Sequence, residues 1–502
     1  MMPCESALCL YFWMLFFSPV MTNTITEDIE VLVFLPKNNS YLFSHTRVAP
    51  AILYAQQRLK AEGGQYSGFH FNIQFENSDC VNNAFLTLVD RCGQKPDLIL
   101  GPVCEYEAAS TVRLASHWNI PVISAGALAA GFSDKSTEYS HLTRIAPSYV
   151  KMAETFTAIF EHFTWKRALL LYEDDAQERN CYFTLEGIYH LMTDFNFNSL
   201  AVSPDNRPDM DDILQRIYEN EVVIMCMGAD RIRDIMLAAH RQQLTNGNHL
   251  FFNVELFNSS SYGNGSWRRG DKYDNEARQA YTSLNTVTLL RTTKPEFENF
   301  TLEMKKSVEK ARFPDCKDCE SINMFVEGFH DAILLYAIAL HEAMKNGFTK
   351  KNGSEITLRM WNRTFEGIAG QVSMDVNGDR NGDFSLMSMT NAEEGTYEVV
   401  ANYFGANGTF QLLPGFNIDH FTLKVRQPPI TEIQDKSCGL GVSALTGVIV
   451  GAVLGTAMLI AFYFFRKNYR ITIERRRHSE ECDIGKHRQL REDSIRSNFS
   501  AA

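Results

Sequence analysis

A chain of 502 residues with 45% hydrophobic side chains is long enough for more than one packed core, and its net charge of −12 argues against a nucleic-acid binder. The acid lies before residue 466, because residues 466–502 hold ten Lys or Arg against six Asp or Glu. That last segment is too short for a kinase or cyclase domain, which would need about 100 to 200 residues, so any signal it sends uses a peptide-like stretch.

Residues 1–23 contain the apolar run Leu8 to Phe17 followed by Ser18-Pro19 and small polar residues, the pattern of a cleaved signal peptide, although no Lys or Arg precedes the run. From Glu30 onward short apolar runs alternate with amphipathic stretches. Strands are expected at Val31–Leu35, Phe69–Phe75, Leu98–Leu100, Pro121–Ser124, Ala168–Tyr172, Val222–Met225 and Leu250–Val254. Helices are expected at Pro50–Glu62, Val81–Val89, Tyr149–His162 and Ile232–Gln243. Repeated βα units imply mostly parallel sheets covered by helices on both faces, and residues 24–426 exceed one core, so two such lobes are expected. A long helix follows Asn323 and ends at Gly347. Val372–Val376 and Phe384–Met389, separated by Asn377-Gly378-Asp379 and Asn381-Gly382-Asp383, read as a hairpin.

The chain runs out through Pro428-Pro429 in a polar stalk, residues 427–439, and Leu440–Phe465 is free of charged and amide side chains. At about 1.5 Å per residue this run crosses a hydrocarbon core of about 30 Å once. Arg466, Lys467, Arg470, Arg475, Arg476 and Arg477 follow it, which places the tail in the cytoplasm and the bulk of the chain outside. Gly447, Gly451 and Gly455 make a stripe suited to helix pairing. The 11 cysteines divide into Cys4 and Cys9 in the leader, Cys482 in the tail and eight in the exterior part, where oxidation is expected. Glycosylation sequons fall there too, at Asn38, Asn258, Asn264, Asn299, Asn352, Asn362 and Asn407, while the one at Asn498 is cytoplasmic.

Several motifs are weaker than they look. Asp375-Val-Asn377-Gly-Asp379 starts like a calcium loop, but Arg380 stands where Gly is needed and Leu386 where a bidentate Glu is needed, which favours a turn. Cys316-x-x-Cys319 has no second Cys or His pair to complete a zinc site, which favours a small-loop disulfide or partner bonding. His330-Asp331 lies within an apolar helix and reads as a satisfied pair. No HExxH, GxSxG or GxxxxGK[ST] pattern occurs, which weighs against an enzyme. In DLILGPVCEYEAAS a buried strand ends at Gly101-Pro102 and a helix begins near Glu105. Amides at such a helix start can hold chloride or a ligand carboxylate, or can simply belong to an ordinary α/β loop.

These residues carry a resemblance. DLILGPVCEYEAAS, RNCYFTLEG, FFNVELFNSSSYGNGSW, MFVEGFHDAILLY, WNRTFEGIAGQVSMDVNGDRNGDFS, FYFFRKNYRITIERR and GKHRQLREDSIRSNFS are similar to the natriuretic peptide receptor family, on its clearance-type branch without kinase-like or guanylyl cyclase domains. The resemblance runs from about Glu30 to the C-terminus. It implies an α/β, two-lobed, type I periplasmic-binding-protein-like ectodomain and one transmembrane helix. The molecule would be a type I plasma-membrane homodimer that binds natriuretic peptides between its subunits, clears them by internalisation and couples to inhibitory G proteins.

Tyr106, Arg113, Phe183 and Glu186 would touch the ligand, and His117-Trp118 would lie at the subunit contact. Disulfides would join Cys80 to Cys104 and Cys181 to Cys226, and Cys438 would pair across the dimer, leaving Cys92, Cys316 and Cys319 as marks of a divergent subtype. Chloride would sit on the backbone of Val103 and Cys104, without a clear counterpart for the family's hydroxyl partner. Arg475-Arg476-Arg477 and His487–Arg491 resemble the family's G-protein-activating segment, and the same charge also suits anionic lipid. A small-molecule or amino-acid sensor using the cleft between the lobes is the alternative.

Overall fold

The computed structural model describes residues 26–60, 64–176, 178–206, 209–255, 265–290, 294–311, 322–415, 421 and 423. The expected leader, stalk, span and tail lie outside them, as do Cys316, Cys319, Cys438, Asn258 and Asn264.

In chain order the first lobe begins with β1 (Glu27–Leu35), α1 (His45–Leu59), β2 (Phe69–Asn77), α2 (Asn83–Asp90), β3 (Leu98–Leu100), α3 (Glu105–His117), β4 (Val122–Ser124) and β5 (Leu142–Pro147). The chain then crosses to α4 (Tyr149–Phe163), β6 (Arg167–Glu173), α5 (Asn180–Leu191), β7 (Asn196–Val202), α6 (Met210–Glu219), β8 (Val222–Cys226), α7 (Ala229–Arg241), β9 (Leu250–Glu255), α8 (Asp274–Tyr281) and β10 (Leu284–Leu289). It returns for α9 (Pro295–Ala311), α10 (Met324–Lys345), α11 (Gly353–Met360), β11 (Arg363–Glu366), β12 (Gln371–Met374) and β13 (Asp379–Arg380). A third crossing leads to β14 (Asp383–Asn391), β15 (Thr396–Phe404) and β16 (Thr409–Leu412).

Two eight-stranded sheets result, ordered β11-β12-β13-β5-β4-β3-β1-β2 and β16-β15-β14-β10-β9-β8-β6-β7. Within each, the βα units form a parallel core of doubly wound order. The sequence shows why. β3 and β8 are apolar and buried at every position because helices cover both faces of a central parallel strand, whereas the edge strand β2 alternates at its start. The two expected lobes and the expected strands are present.

Two local expectations need correction. α1 starts at His45 and keeps Pro50 inside it, five residues earlier than a helix opened by that proline. The segments 372–376 and 384–389 do not form a hairpin with each other. β12 pairs with β11 and β13 in the first sheet, whereas β14 pairs with β10 and β15 in the second. Both turns exist, but the chain changes lobes between them. Asp375 serves the first turn, accepting from the N–H groups of Asn377 and Asp379, each at 2.9 Å, and pairing with Lys151 at 3.0 Å.

α10 is long and apolar enough to cross a membrane, yet 72% of its most apolar window is buried, and it packs on α1, α11 and β5. It is the central helix of the first lobe. Asn323 caps it by accepting from the Phe325 and Val326 N–H groups, and its amide donates to the Leu42 carbonyl at 2.9 Å.

Candidate functional site

Doubly wound sheets place ligands beyond the carboxyl ends of the strands, where strand order reverses. Here those points are the β1/β3 junction of one lobe and the β6/β8 junction of the other. Each is pinned by a disulfide. Cys80–Cys104 ties the loop after β2 to the start of α3, and Cys181–Cys226 ties the start of α5 to the end of β8. Both pairings implied by the resemblance are therefore present, and Cys92 is a free, exposed thiol.

α3 begins directly after Cys104, whose side chain makes no capping bond. Among the described hydrogen bonds no protein acceptor meets the Val103 or Cys104 N–H. The loop is held tightly, since a Cβ on Gly126 would lie 2.3 Å from the Val103 carbonyl oxygen. Two carboxylates anchor the first turn. Glu105 accepts from the Leu128 and Ala129 N–H groups at 2.9 and 3.2 Å, and Glu107 accepts from the Ala84 N–H at 2.7 Å and from the Ser78 hydroxyl. Burial pushes Glu105 up to about 7, and burial raises Glu107 as well.

The outer face of α3 presents Tyr106, Arg113 and His117, spaced to share one stripe. Tyr106 is 47% exposed. The Arg113 guanidinium pairs with Glu138 and lies 5.0 Å from the centre of the Tyr139 ring. His117 is exposed at the end of the helix, and Trp118 carries the Lys95 ammonium 4.6 Å above its ring.

On α5, Phe183 is buried and meets Tyr106 of the other lobe with ring centroids 5.9 Å apart. The Tyr182 hydroxyl donates to Glu186 at 3.0 Å, and His190 lies 3.7 Å from the same carboxylate oxygen. Burial, followed by the Glu186 charge, pushes Tyr182 up to about 12. Gly187 lets α5 close on α4, since a Cβ there would sit 3.0 Å from the Tyr149 carbonyl oxygen.

The structure thus brings Tyr106 and Phe183 together and sets Glu186 one turn beyond Phe183, while Arg113 stands two turns along α3 from Tyr106. It adds residues that the sequence did not single out. Tyr189 is 57% exposed and shares the α5 face with Tyr182 and Glu186, an i, i+4, i+7 spacing that could have been read. Arg179 chelates Asp174 at 3.0 and 2.8 Å, stacks 3.9 Å from the Tyr182 ring centre and faces the Tyr106 hydroxyl. Its partners are set by the loop after β6 and have no sequence signature.

Between the lobes, beside Tyr106, lies a cavity of about 440 Å³. Among the sequons, Asn38, Asn299, Asn362 and Asn407 are exposed, and Asn352 is half-buried and accepts from the Thr349 N–H at 2.8 Å.

A family profile described as "Receptor family ligand binding region" matches residues 47–392. The chain is 57% identical to the rat protein named atrial natriuretic peptide receptor 3 over 493 residues, covering 95% of this chain and 92% of that protein. With the human protein of that name the identity is 56% over 494 residues, covering 95% and 91%. Human atrial natriuretic peptide receptor 2 is 32% identical over 402 residues, which is 76% of this chain and 37% of that longer protein.

Proposed function

Because the chain belongs to the natriuretic peptide receptor family, we propose that it is a single-pass plasma-membrane receptor, that it binds natriuretic peptides between two copies of itself, and that it clears them by internalisation. The function is binding, and no reaction is assigned to it. The observation that carries this is the pair of disulfide-pinned helices α3 and α5, whose exposed Tyr106, Arg113 and Tyr189, with the largely covered Glu186 beside them, suit a folded peptide. Tyr106 and Tyr189 offer rigid apolar area at low entropic cost, Arg113 offers a planar donor to peptide carbonyls, and Glu186 offers an acceptor for a basic side chain.

Two further features favour a homodimer through the first lobe. Val81, Leu86 and Val89, in and beside α2, are exposed apolar residues on an element packed against α3. No sequon occurs between Asn38 and Asn258, which leaves α1 to α7 free of glycan for protein contact.

Chloride belongs with this proposal. The N–H groups of Val103 and Cys104 fit an anion at a helix start, while the neighbouring carboxylates oppose it, so binding should tighten as Glu105 becomes protonated below about 7. Coupling to inhibitory G proteins would use the basic tail, and Cys438 would join the two copies.

The test is hormone binding by Tyr106→Ala and Glu186→Gln receptors at the cell surface. Each should lose about tenfold or more in affinity with surface expression retained. Unchanged affinity in both would remove this face from the site.

A further inference from the structure

The loop from β6 to α5 carries a strained residue whose side chain meets both lobes. Ala176 and Arg179 take the left-handed backbone conformation, with φ of 58° and 54°. A residue with a Cβ holds that conformation at a steric cost that glycine escapes, so a long side chain persists there only where its surroundings over-determine it. For Arg179 they do. Its backbone N–H donates to Asp175 at 2.7 Å, and its guanidinium forks onto Asp174 at 3.0 and 2.8 Å. Asp174 is itself fixed, its N–H donating to the Val202 carbonyl at 3.0 Å and its carboxylate accepting from the Ala176 N–H at 3.1 Å. The Arg179 hydrogen bonds hold the Asp174 carboxyl below the usual carboxylate range, so the pair stays charged at neutral pH.

A guanidinium chelated along one edge keeps its flat face and its remaining N–H groups for other partners. The centre of the Tyr182 ring lies 3.9 Å from the guanidinium carbon, and the Tyr106 hydroxyl, from the first lobe, faces the same group. Tyr182 packs on Phe183 with ring centroids 5.2 Å apart and donates to Glu186 at 3.0 Å, while Phe183 meets Tyr106 at 5.9 Å. One side chain therefore bears on Tyr106 of the first lobe and, through Tyr182, on the Glu186 carboxylate of the second.

We propose that Arg179 is a positioning residue for peptide binding. By holding Tyr106 beside Tyr182 and Phe183 it fixes the angle between the lobes in the free receptor, and it presents Tyr106 and Glu186 as one preformed face. This rests on the peptide assignment made above. The contribution is preorganisation, because a face already assembled gives up less conformational freedom when the hormone docks. It requires the planar fork, since one group has to chelate a carboxylate along its edge and stack on a ring through its face, which an ammonium does not do.

The test is a double-mutant cycle in natriuretic peptide affinity, measured on the full-length receptor at the cell surface. It combines Arg179→Met with Tyr106→Phe, which keeps the ring and removes the hydroxyl. Arg179→Met should weaken binding about tenfold in the wild-type background, and about threefold or less once Tyr106 has lost its hydroxyl. All variants should keep surface expression. A residue that only stabilises its own loop would cost the same in both backgrounds. Should Arg179→Met fail to reach the surface, Arg179→Lys completes the same cycle, since it keeps a charge beside Asp174 and has no fork. Unchanged affinity, or equal costs in the two backgrounds, would overturn the proposal while leaving hormone binding by the unaltered receptor intact. Absence of binding by the unaltered receptor would instead overturn the hormone assignment, and this proposal with it.

Discussion

Asp379 and Glu105 are buried carboxylates of the same lobe in opposite electrostatic settings. Asp379, on β13, is chelated by the Arg144 guanidinium at 2.7 and 2.5 Å and approached by Lys135 at 3.2 Å. Burial alone would raise it, but the Arg144 charge and hydrogen bonds, followed by Lys135, hold it at about 2. Glu105, at the start of α3, has two backbone N–H donors and no cation in contact, and burial pushes it up to about 7. The comparison separates two uses of buried charge. The Asp379 cluster is internally matched and fastens β13 to β5 beside a lobe crossing, and Lys151 extends it through Asp375 to Glu154 in the second lobe. The Glu105 side is left with acceptor capacity directed at a cavity.

The largest expected effect comes from breaking the matched set. Asp379→Ala strands Arg144 and Lys135 in the core and should cost about 3–5 kcal/mol, read by thermal or urea unfolding of the receptor. A loss no larger than that of an exposed substitution would contradict the difference drawn above. Its pH signature is also fixed. The folded pKa lies below the ordinary value of 3.8, so the stabilisation is complete above that value and fades as pH falls toward about 2.

Glu105 should behave in the opposite sense. Its folded pKa lies above the ordinary 4.5, so its contribution is complete below 4.5 and is lost as pH rises through about 7. Glu105→Gln should remove that slope and leave the protein roughly 1–3 kcal/mol more stable, relative to wild type, at pH 8 than at pH 4. Parallel stability curves for the two proteins from pH 4 to 8 would refute the assignment.

The smallest effect belongs to the exposed pair. Glu138→Gln frees Arg113 from a half-exposed ion pair and should change stability by less than about 1 kcal/mol. Because it releases a guanidinium of the proposed peptide face, it should change peptide on-rate and its salt dependence more than it changes the melting temperature. A shift in melting alone would make the pair structural.

Much of this arrangement was legible in the sequence. The apolar runs at 98–100 and 222–225 mark central strands because only a doubly covered strand is apolar at every position. The Gly101–Cys104 turn before α3 was visible because strand, turn and helix start are contiguous. Pairing across the lobe crossing was not legible. The turn residues between 377 and 383 report a change of direction, but alternation within 384–389 cannot say which sheet receives the strand. The Arg144–Asp379 contact joins residues 235 positions apart, and local pattern carries no trace of it. The candidate contacts on α3 and α5 came from resemblance, whereas the inter-lobe cavity emerged only when loops from both lobes were placed together.

The most direct test of the receptor assignment is calorimetric titration of the full-length chain with a cyclic natriuretic peptide, in chloride and in a chloride-free buffer of equal ionic strength. One peptide per two chains, with affinity reduced when chloride is removed, is the predicted result. One peptide per chain, or no binding, would contradict a hormone site shared between two copies.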